Sequence, residues 1–190
     1  YKRGLIFFTT GNPEYWHVGT DRPGDNLYAN SLVAFDLKTK KIRWHFQEIA
    51  HDLWNLDLAA PPILTSVKKN NSYIDVVVAV SKLGNTLILD RNTGKSLFDM
   101  KKVLVPTSNV PGEKTSPYQF QNELPEAVCR NKITKSELSD LSYVDQKKIN
   151  EVFENSEYGF PNPPKIGKKN IHIAGCIRWA GGSVDTKKNI

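Results

Sequence analysis

The residues able to do chemistry cluster at the two ends of one stretch, residues 11–62. At its start, Asn12 is followed by Pro13, which holds the Asn extended with its amide projecting. Taken alone, Asn12 reads as a turn residue. At its far end, His51-Asp-Leu-Trp-Asn-Leu-Asp57 places two acids, an Asn, a His and a Trp within seven residues. That heptad is too polar for core and too aromatic for a plain loop. In an extended chain Asn55 and Asp57 share one side. An amide such as Asn55 has no useful basicity near neutral pH, whereas a carboxylate has. Asp52 is close enough to be a second candidate if the loop bends, and hydrogen bonding within the loop is the competing role for both acids. Lys82 follows Asn12 by seventy positions and supplies a cation. Alone it is equally an exposed lysine before a hairpin.

The elements that must position these groups are strands. Residues 31–36 and 42–46 form an antiparallel hairpin about the turn at residues 37–40, and residues 5–8 form a strand ahead of it. Residues 73–80 are a buried β-branched run, and residues 85–89 follow a Gly84-Asn85 turn. Residues 60–64 leave the heptad in extended form. A repeat runs through this region: Asp36 matches Asp90, Thr39 matches Thr93, Lys41 matches Lys95 and Trp44 matches Phe98, each pair 54 positions apart. A third start is visible at Val184-Asp185. In each copy the Asp accepts backbone bonds from the turn; Gly94 takes a positive φ, and Lys40 at the matching place turns at a small cost in strain or with a different turn type. The aromatic is placed to pack on the neighbouring unit. Repeats of this period indicate a stacked or circular array, and a β-propeller blade has these needs.

The chain divides into propeller blades with site loops (1–102), an insertion (103–170) and the start of a further blade (171–190). Prolines 106, 111, 117 and 125 predict an irregular excursion over residues 103–126. Thr134-Lys-Ser-Glu137 has the form of a capping box opening one helix, and a second begins at residues 142–145 with Ile149, Val152 and Phe153 on one face. The insertion is expected to be a surface excursion or a lid over a site. Residues 171–184 return to strand. The sequence opens just ahead of one strand and stops where another should start, and a sheet cut at both edges exposes unpaired strands, which predicts an internal piece of a longer polypeptide.

The net charge of +6 is spread over separate Lys-Lys pairs and not gathered into a stripe, which argues against nucleic-acid binding. Cys129 and Cys176 lack metal-ligand spacing; they are independent thiols, or one bridge in an oxidising compartment. No apolar run approaches the ~20 residues of a membrane span.

The ordered set of Gly11-Asn12-Pro13 with Trp16, Arg22-Pro-Gly-Asp-Asn26, the AxDxxTxKxxW repeat, His51 through Pro62, Lys82-Leu-Gly-Asn85, Val110-Pro-Gly-Glu113 and Ser116-Pro117 resembles the quinoprotein dehydrogenases. The order and spacing look most like the membrane-bound glucose dehydrogenase branch. The resemblance implies an all-β fold, a partial eight-bladed β-propeller of about three blades with a short helical insertion. It implies the cofactors pyrroloquinoline quinone (PQQ) and Ca2+, with Asn12 as a calcium ligand and Lys82 bonded to the quinone oxygens. The family's base is an Asp at the position of Asn55, so Asp57 becomes its candidate substitute. Trp179 and Arg178 lie where the family approaches the cofactor; Arg178 stands in place of an Asn and pairs with a PQQ carboxylate or points to solvent. The calcium-ligating glutamate and the Trp beneath the quinone would precede Tyr1. The implied activity is oxidation of a sugar, polyol or alcohol in the periplasm, with electrons passing to a membrane quinone or a cytochrome, and any membrane anchor outside this chain. Asn55 sustains the contrary expectation, a non-catalytic propeller scaffold.

Overall fold

The computed structural model describes residues 4–138, 143–171 and 175–186. Strands β1 (Leu5–Thr9), β2 (Ser31–Asp36) and β3 (Lys41–Gln47) form one antiparallel sheet in the order β1-β2-β3. Strands β4 (Ile63–Lys69), β5 (Ser72–Val80) and β6 (Thr86–Asp90) form a second in the order β4-β5-β6. After β6 the chain folds back, with Leu89 bridging Ser96 and the Leu97 N–H donating to Ile88 O at 2.9 Å.

The repeat explains how the two sheets meet. Asp36 Oδ1 accepts the N–H groups of Lys38 and Thr39, and Asp90 Oδ1 accepts those of Asn92 and Thr93. Each turn closes at a left-handed residue, Lys40 at φ 55° and Gly94 at φ 72°. A Cβ on Gly94 would lie 2.6 Å from the Trp44 ring, so the aromatic of the first copy packs on the turn of the second. Trp44 Nε1 also donates to Arg91 O at 3.3 Å. Around this contact Leu32, Ala34, Leu58, Val77, Ala79, Leu87 and Leu89 form the core between the sheets. Burying such side chains stabilises the pair by about 2 kcal/mol each.

The insertion is more ordered than its prolines predict. Strand β7 (Met100–Leu104) pairs antiparallel with β8 (Tyr118–Asn122), so the irregular part narrows to the connection between them. Pro106, Pro111 and Pro117 all fall in that connection, where a missing N–H costs no ladder bond. The capping-box residues form only one 3-10 turn, Lys135–Glu137, with Glu137 accepting from the Thr134 N–H and hydroxyl. The second helix is present as α1 (Tyr143–Glu154). Strand β9 (Ser156–Tyr158) pairs in parallel with β10 (Lys169–Ile171), and residues 175–186 run as bends and turns in place of the expected strand. The third repeat start lies partly outside the described residues. No helix among them is long and apolar enough to cross a membrane.

The insertion docks on the heptad loop. Ile49, Leu53, Trp54, Leu56, Leu83 and Phe160 form a second core, in which Trp54 and Phe160 meet edge-on with centroids 4.9 Å apart. Trp54 Nε1 donates to Asn162 O at 2.7 Å. Gln119 pairs with both backbone groups of Ala50, at 3.0 and 2.7 Å.

Candidate active site

The heptad loop is shaped from inside by Asp52. Its Oδ1 accepts the Trp54 N–H at 2.7 Å, and its Oδ2 accepts the Leu56 N–H at 2.8 Å and Asn30 Nδ2 at 2.9 Å. Burial raises the Asp52 carboxyl above its ordinary value, while the two backbone donors and Asn30 pull it back. Asp52 therefore organises the loop and does not face a ligand. His51 and Asn55 take left-handed conformations at φ 49° and 58°, which reverse the chain on either side of Trp54. Arg22 ties the neighbouring loop in: it donates to Asp52 O at 2.6 Å, Asn26 Oδ1 at 2.6 Å and Glu14 O at 3.0 Å.

Asp57 is the point of convergence. Its Oδ1 accepts the Asn12 N–H at 3.0 Å, and its Oδ2 accepts from Lys82 Nζ at 2.5 Å. Lys82 Nζ also donates to Asn55 O at 3.1 Å. The Asp57 and Lys82 side chains are each 11% exposed, so the pair is shielded yet reachable. Asn12 Nδ2 donates to Pro13 O at 3.0 Å, which fixes the amide nitrogen on the loop's own backbone. The structure thus brings Asn12, Asn55, Asp57 and Lys82 into one hydrogen-bonded unit.

The loop at residues 175–182 closes against this unit from the other side. The Cys176 N–H donates to Lys82 O at 2.8 Å, and a Cβ on Gly175 would lie 2.8 Å from Lys82 Cγ. Arg178 and Trp179 are carried on this loop; both are exposed, and the Trp179 ring is 73% accessible. Cys129 and Cys176 form a disulfide, which settles the open question of the thiols.

Two buried acids escaped the sequence reading. His51 Nε2 lies 2.7 Å from Glu113 Oε1, and both side chains are 1% exposed. His51 Nδ1 donates to Gly24 O at 2.7 Å, since a carbonyl only accepts. Glu113 also accepts the Gly19 N–H, so one carboxylate joins the insertion to two site loops. Its motif was visible, but its partner was sixty positions away. Glu48 is buried behind the heptad, its Oε1 accepting from Asn85 Nδ2 at 2.9 Å and its Oε2 without a protein partner. Burial pushes its carboxyl up to about 7, and Asp52 adds to the rise. The parity of Trp44 and Phe46 along β3, carried one residue past its end to Glu48, was the available signal for an inward acid.

Among the described residues no group of three or more His, Cys, Asp and Glu is placed to hold a metal. Lys82 is a cation of the kind quinone oxygens accept from, and Asn12 carries one amide oxygen suited to a hard cation, while both Asp57 oxygens are taken by the Asn12 N–H and Lys82. The residues present fit PQQ; a calcium ion would find one amide oxygen here, and the Asn55 amide has no useful basicity.

The blade repeat and the two stacked three-stranded sheets define a segment of a β-propeller. Residues 1–190 match the family described as "PQQ: Glucose/ethanol/alcohol dehydrogenase, beta-propeller domain", and the chain belongs to that family as a partial β-propeller. It is 30% identical over 185 residues to the quinoprotein glucose dehydrogenase of Gluconobacter oxydans (strain 621H), covering 95% of this chain and 22% of the relative. It is 28% identical over 194 residues to the quinoprotein glucose dehydrogenase of Escherichia coli (strain K12), covering 100% of this chain and 24% of the relative. The solved quinohemoprotein alcohol dehydrogenase of Comamonas testosteroni superimposes with a TM-score of 0.47 at 33% identity, over 51% of this chain and 15% of that one. The chain therefore spans about a quarter of the length of its curated relatives.

Proposed function

We propose that this chain is the cofactor-facing segment of a PQQ- and calcium-dependent dehydrogenase that oxidises a sugar, polyol or small alcohol. The observation that carries the reading is the single Asp57 carboxylate held between the Asn12 N–H and the Lys82 ammonium. A propeller without a cofactor has no use for a shielded cation at that place. Bound PQQ supplies the two-electron acceptor and calcium the Lewis acid that polarises it. Lys82 is assigned to the quinone oxygens, where its charge stabilises the reduced, anionic form. Asn12 is assigned to calcium through its amide oxygen. Arg178 and Trp179, two and three residues beyond Cys176 in the closing loop, are assigned to the rim of the cofactor site.

Asn55 cannot take the substrate proton, and Asp57 has both oxygens occupied. Asp57 becomes a base only by giving up one of those partners. That observation favours a second reading, a propeller that binds or assembles without turnover. For the active protein, the electron acceptor is a membrane quinone or a cytochrome and the compartment is the periplasm. The Cys129–Cys176 bridge supports an oxidising location. The remaining blades of the same polypeptide are its structural partners, and no nucleic acid is involved.

The test uses the full-length protein with added PQQ and Ca2+, read by quinone absorbance and by dye reduction with glucose or small alcohols. Absence of cofactor uptake removes the enzyme reading. Uptake without turnover supports the second reading, and Asn55→Asp is then expected to restore turnover. If Asp57 is the substitute base, Asp57→Asn abolishes turnover while PQQ still binds.

A further inference from the structure

The arch formed by Lys82, Leu83 and Gly84 is gripped at both ends. At one end the Lys82 carbonyl accepts the Cys176 N–H at 2.8 Å, and at the other the Gly84 carbonyl accepts the Val128 N–H at 2.9 Å. Cys176 and Cys129, next to Val128, are joined by the disulfide. The packing is close on both sides: a Cβ on Gly175 would lie 2.8 Å from Lys82 Cγ, and a Cβ on Gly84 would lie 2.7 Å from Cys129 Sγ. Neither hydrogen bond comes from a strand ladder. The two donors lie on the segments that the bridge joins, whose cysteines are 47 residues apart. Without a cross-link, closing that loop carries an entropy cost that grows with its length.

We propose that Cys129 and Cys176 are positioning residues for Lys82: their disulfide clamps the arch so that the ammonium is held on Asp57 and presented to the cofactor. The cofactor half of this inference rests on the PQQ reading above; the clamp half does not. Cys176 is exposed and Cys129 half-buried, so a small dithiol can reach the bond. Reduction by such a dithiol breaks the Sγ–Sγ bond, gives two cysteine thiols and converts the reductant to its cyclic disulfide, a balanced two-electron, two-proton exchange. With the clamp open, the Lys82 side chain gains freedom and its bond to Asp57 loosens.

The experiment uses the full-length protein in three forms: native, reduced with dithiothreitol, and Cys129→Ser/Cys176→Ser. The first readout is the rate of Lys82 acylation by a water-soluble amine reagent, followed by peptide mass spectrometry without cofactor. Opening the clamp is expected to raise that rate about tenfold, the loss of one charge-assisted hydrogen bond, while amide exchange in β5 and β6 stays unchanged. The second readout is PQQ affinity by titration, expected to weaken about tenfold in both opened forms. A Lys82 rate equal in all three forms overturns the clamp, and if the double variant does not fold, the reduced native protein decides. A Lys82 rate that rises together with exchange throughout β5 and β6 also overturns it, because the bridge then only supports the fold. If the native protein takes up no PQQ, the cofactor reading fails while the acylation rates still judge the clamp.

Discussion

Glu48→Gln removes a titration that the fold holds far from its ordinary range. The carboxyl lies behind the heptad with no exposure to water, and burial is the main reason its proton is kept up to about pH 7 against an ordinary 4.5. Asn85 Nδ2 donates to Oε1 at 2.9 Å and opposes the rise. The Ser81 hydroxyl beside the carboxyl opposes the rise more than Asn85 does, and burial outweighs both. Below pH 4.5 the group is neutral whether the chain is folded or unfolded, and stability carries no cost from it. Between 4.5 and about 7 the unfolded chain releases the proton while the folded one keeps it, so stability falls as pH rises. Above about 7 both states are ionised and the loss levels off. At ~1.4 kcal/mol per unit the full loss is about 3 kcal/mol. Gln keeps the Asn85 contact through its amide oxygen and does not titrate. Urea unfolding of the full-length protein, followed by tryptophan fluorescence at pH 4.5 and pH 8, measures the difference between variant and wild type. That difference should grow by about 3 kcal/mol in favour of Gln at the higher pH, with m unchanged. A difference that does not vary with pH, or that moves the other way, refutes the assignment of a neutral carboxyl at this site.

Three further outcomes follow from the contacts. Lys82→Met leaves Asp57 shielded and unpaired, at a cost of about 3 kcal/mol in the unfolding free energy, and the double variant Lys82→Met/Asp57→Asn should regain most of that loss. Glu113→Gln weakens the bond to His51 and the acceptor for Gly19, so hydrogen exchange at residues 19 and 110–114 should quicken by at least tenfold while the two blade sheets keep their protection. Gly94→Ala drives a Cβ into Trp44 at a left-handed residue and should lower stability by about 3 kcal/mol, whereas Lys40→Gly at the matching turn should raise it by about 1 kcal/mol in the same unfolding assay.

The blades were legible because their information is local. Asp36 and Asp90 cap turns within three residues of themselves, and β2 begins and ends where its alternation and turn residues place it. Trp44 could be assigned to the neighbouring unit because the repeat itself supplied the neighbour. The insertion was read less well. Its prolines punctuate a connection and say nothing of the Tyr118–Asn122 alternation beside them, and a capping box ensures only a first turn. In the site, Asn12 and Lys82 were found through their order among motifs. Their meeting at Asp57 depends on how two sheets stack, which no spacing along the chain encodes. The His51–Glu113 pair, the inward Glu48 carboxyl and the disulfide are likewise products of packing between distant segments.

The insertion is moored by Gln119 to Ala50, by Glu113 to His51 and by Asn162 to Trp54, three berths within five consecutive residues. Val128 and Cys129 hold the arch that carries Lys82, whereas the outer stretch of the insertion, the 3-10 turn and α1, is joined to itself by Lys135 and Glu154. Natural relatives are thus expected to differ most in length there, while the spacing from residue 113 to residue 119 stays constant because both ends must land on adjacent positions of one loop. Loop grafts that respect the moorings should leave the Asp57–Lys82 pair undisturbed.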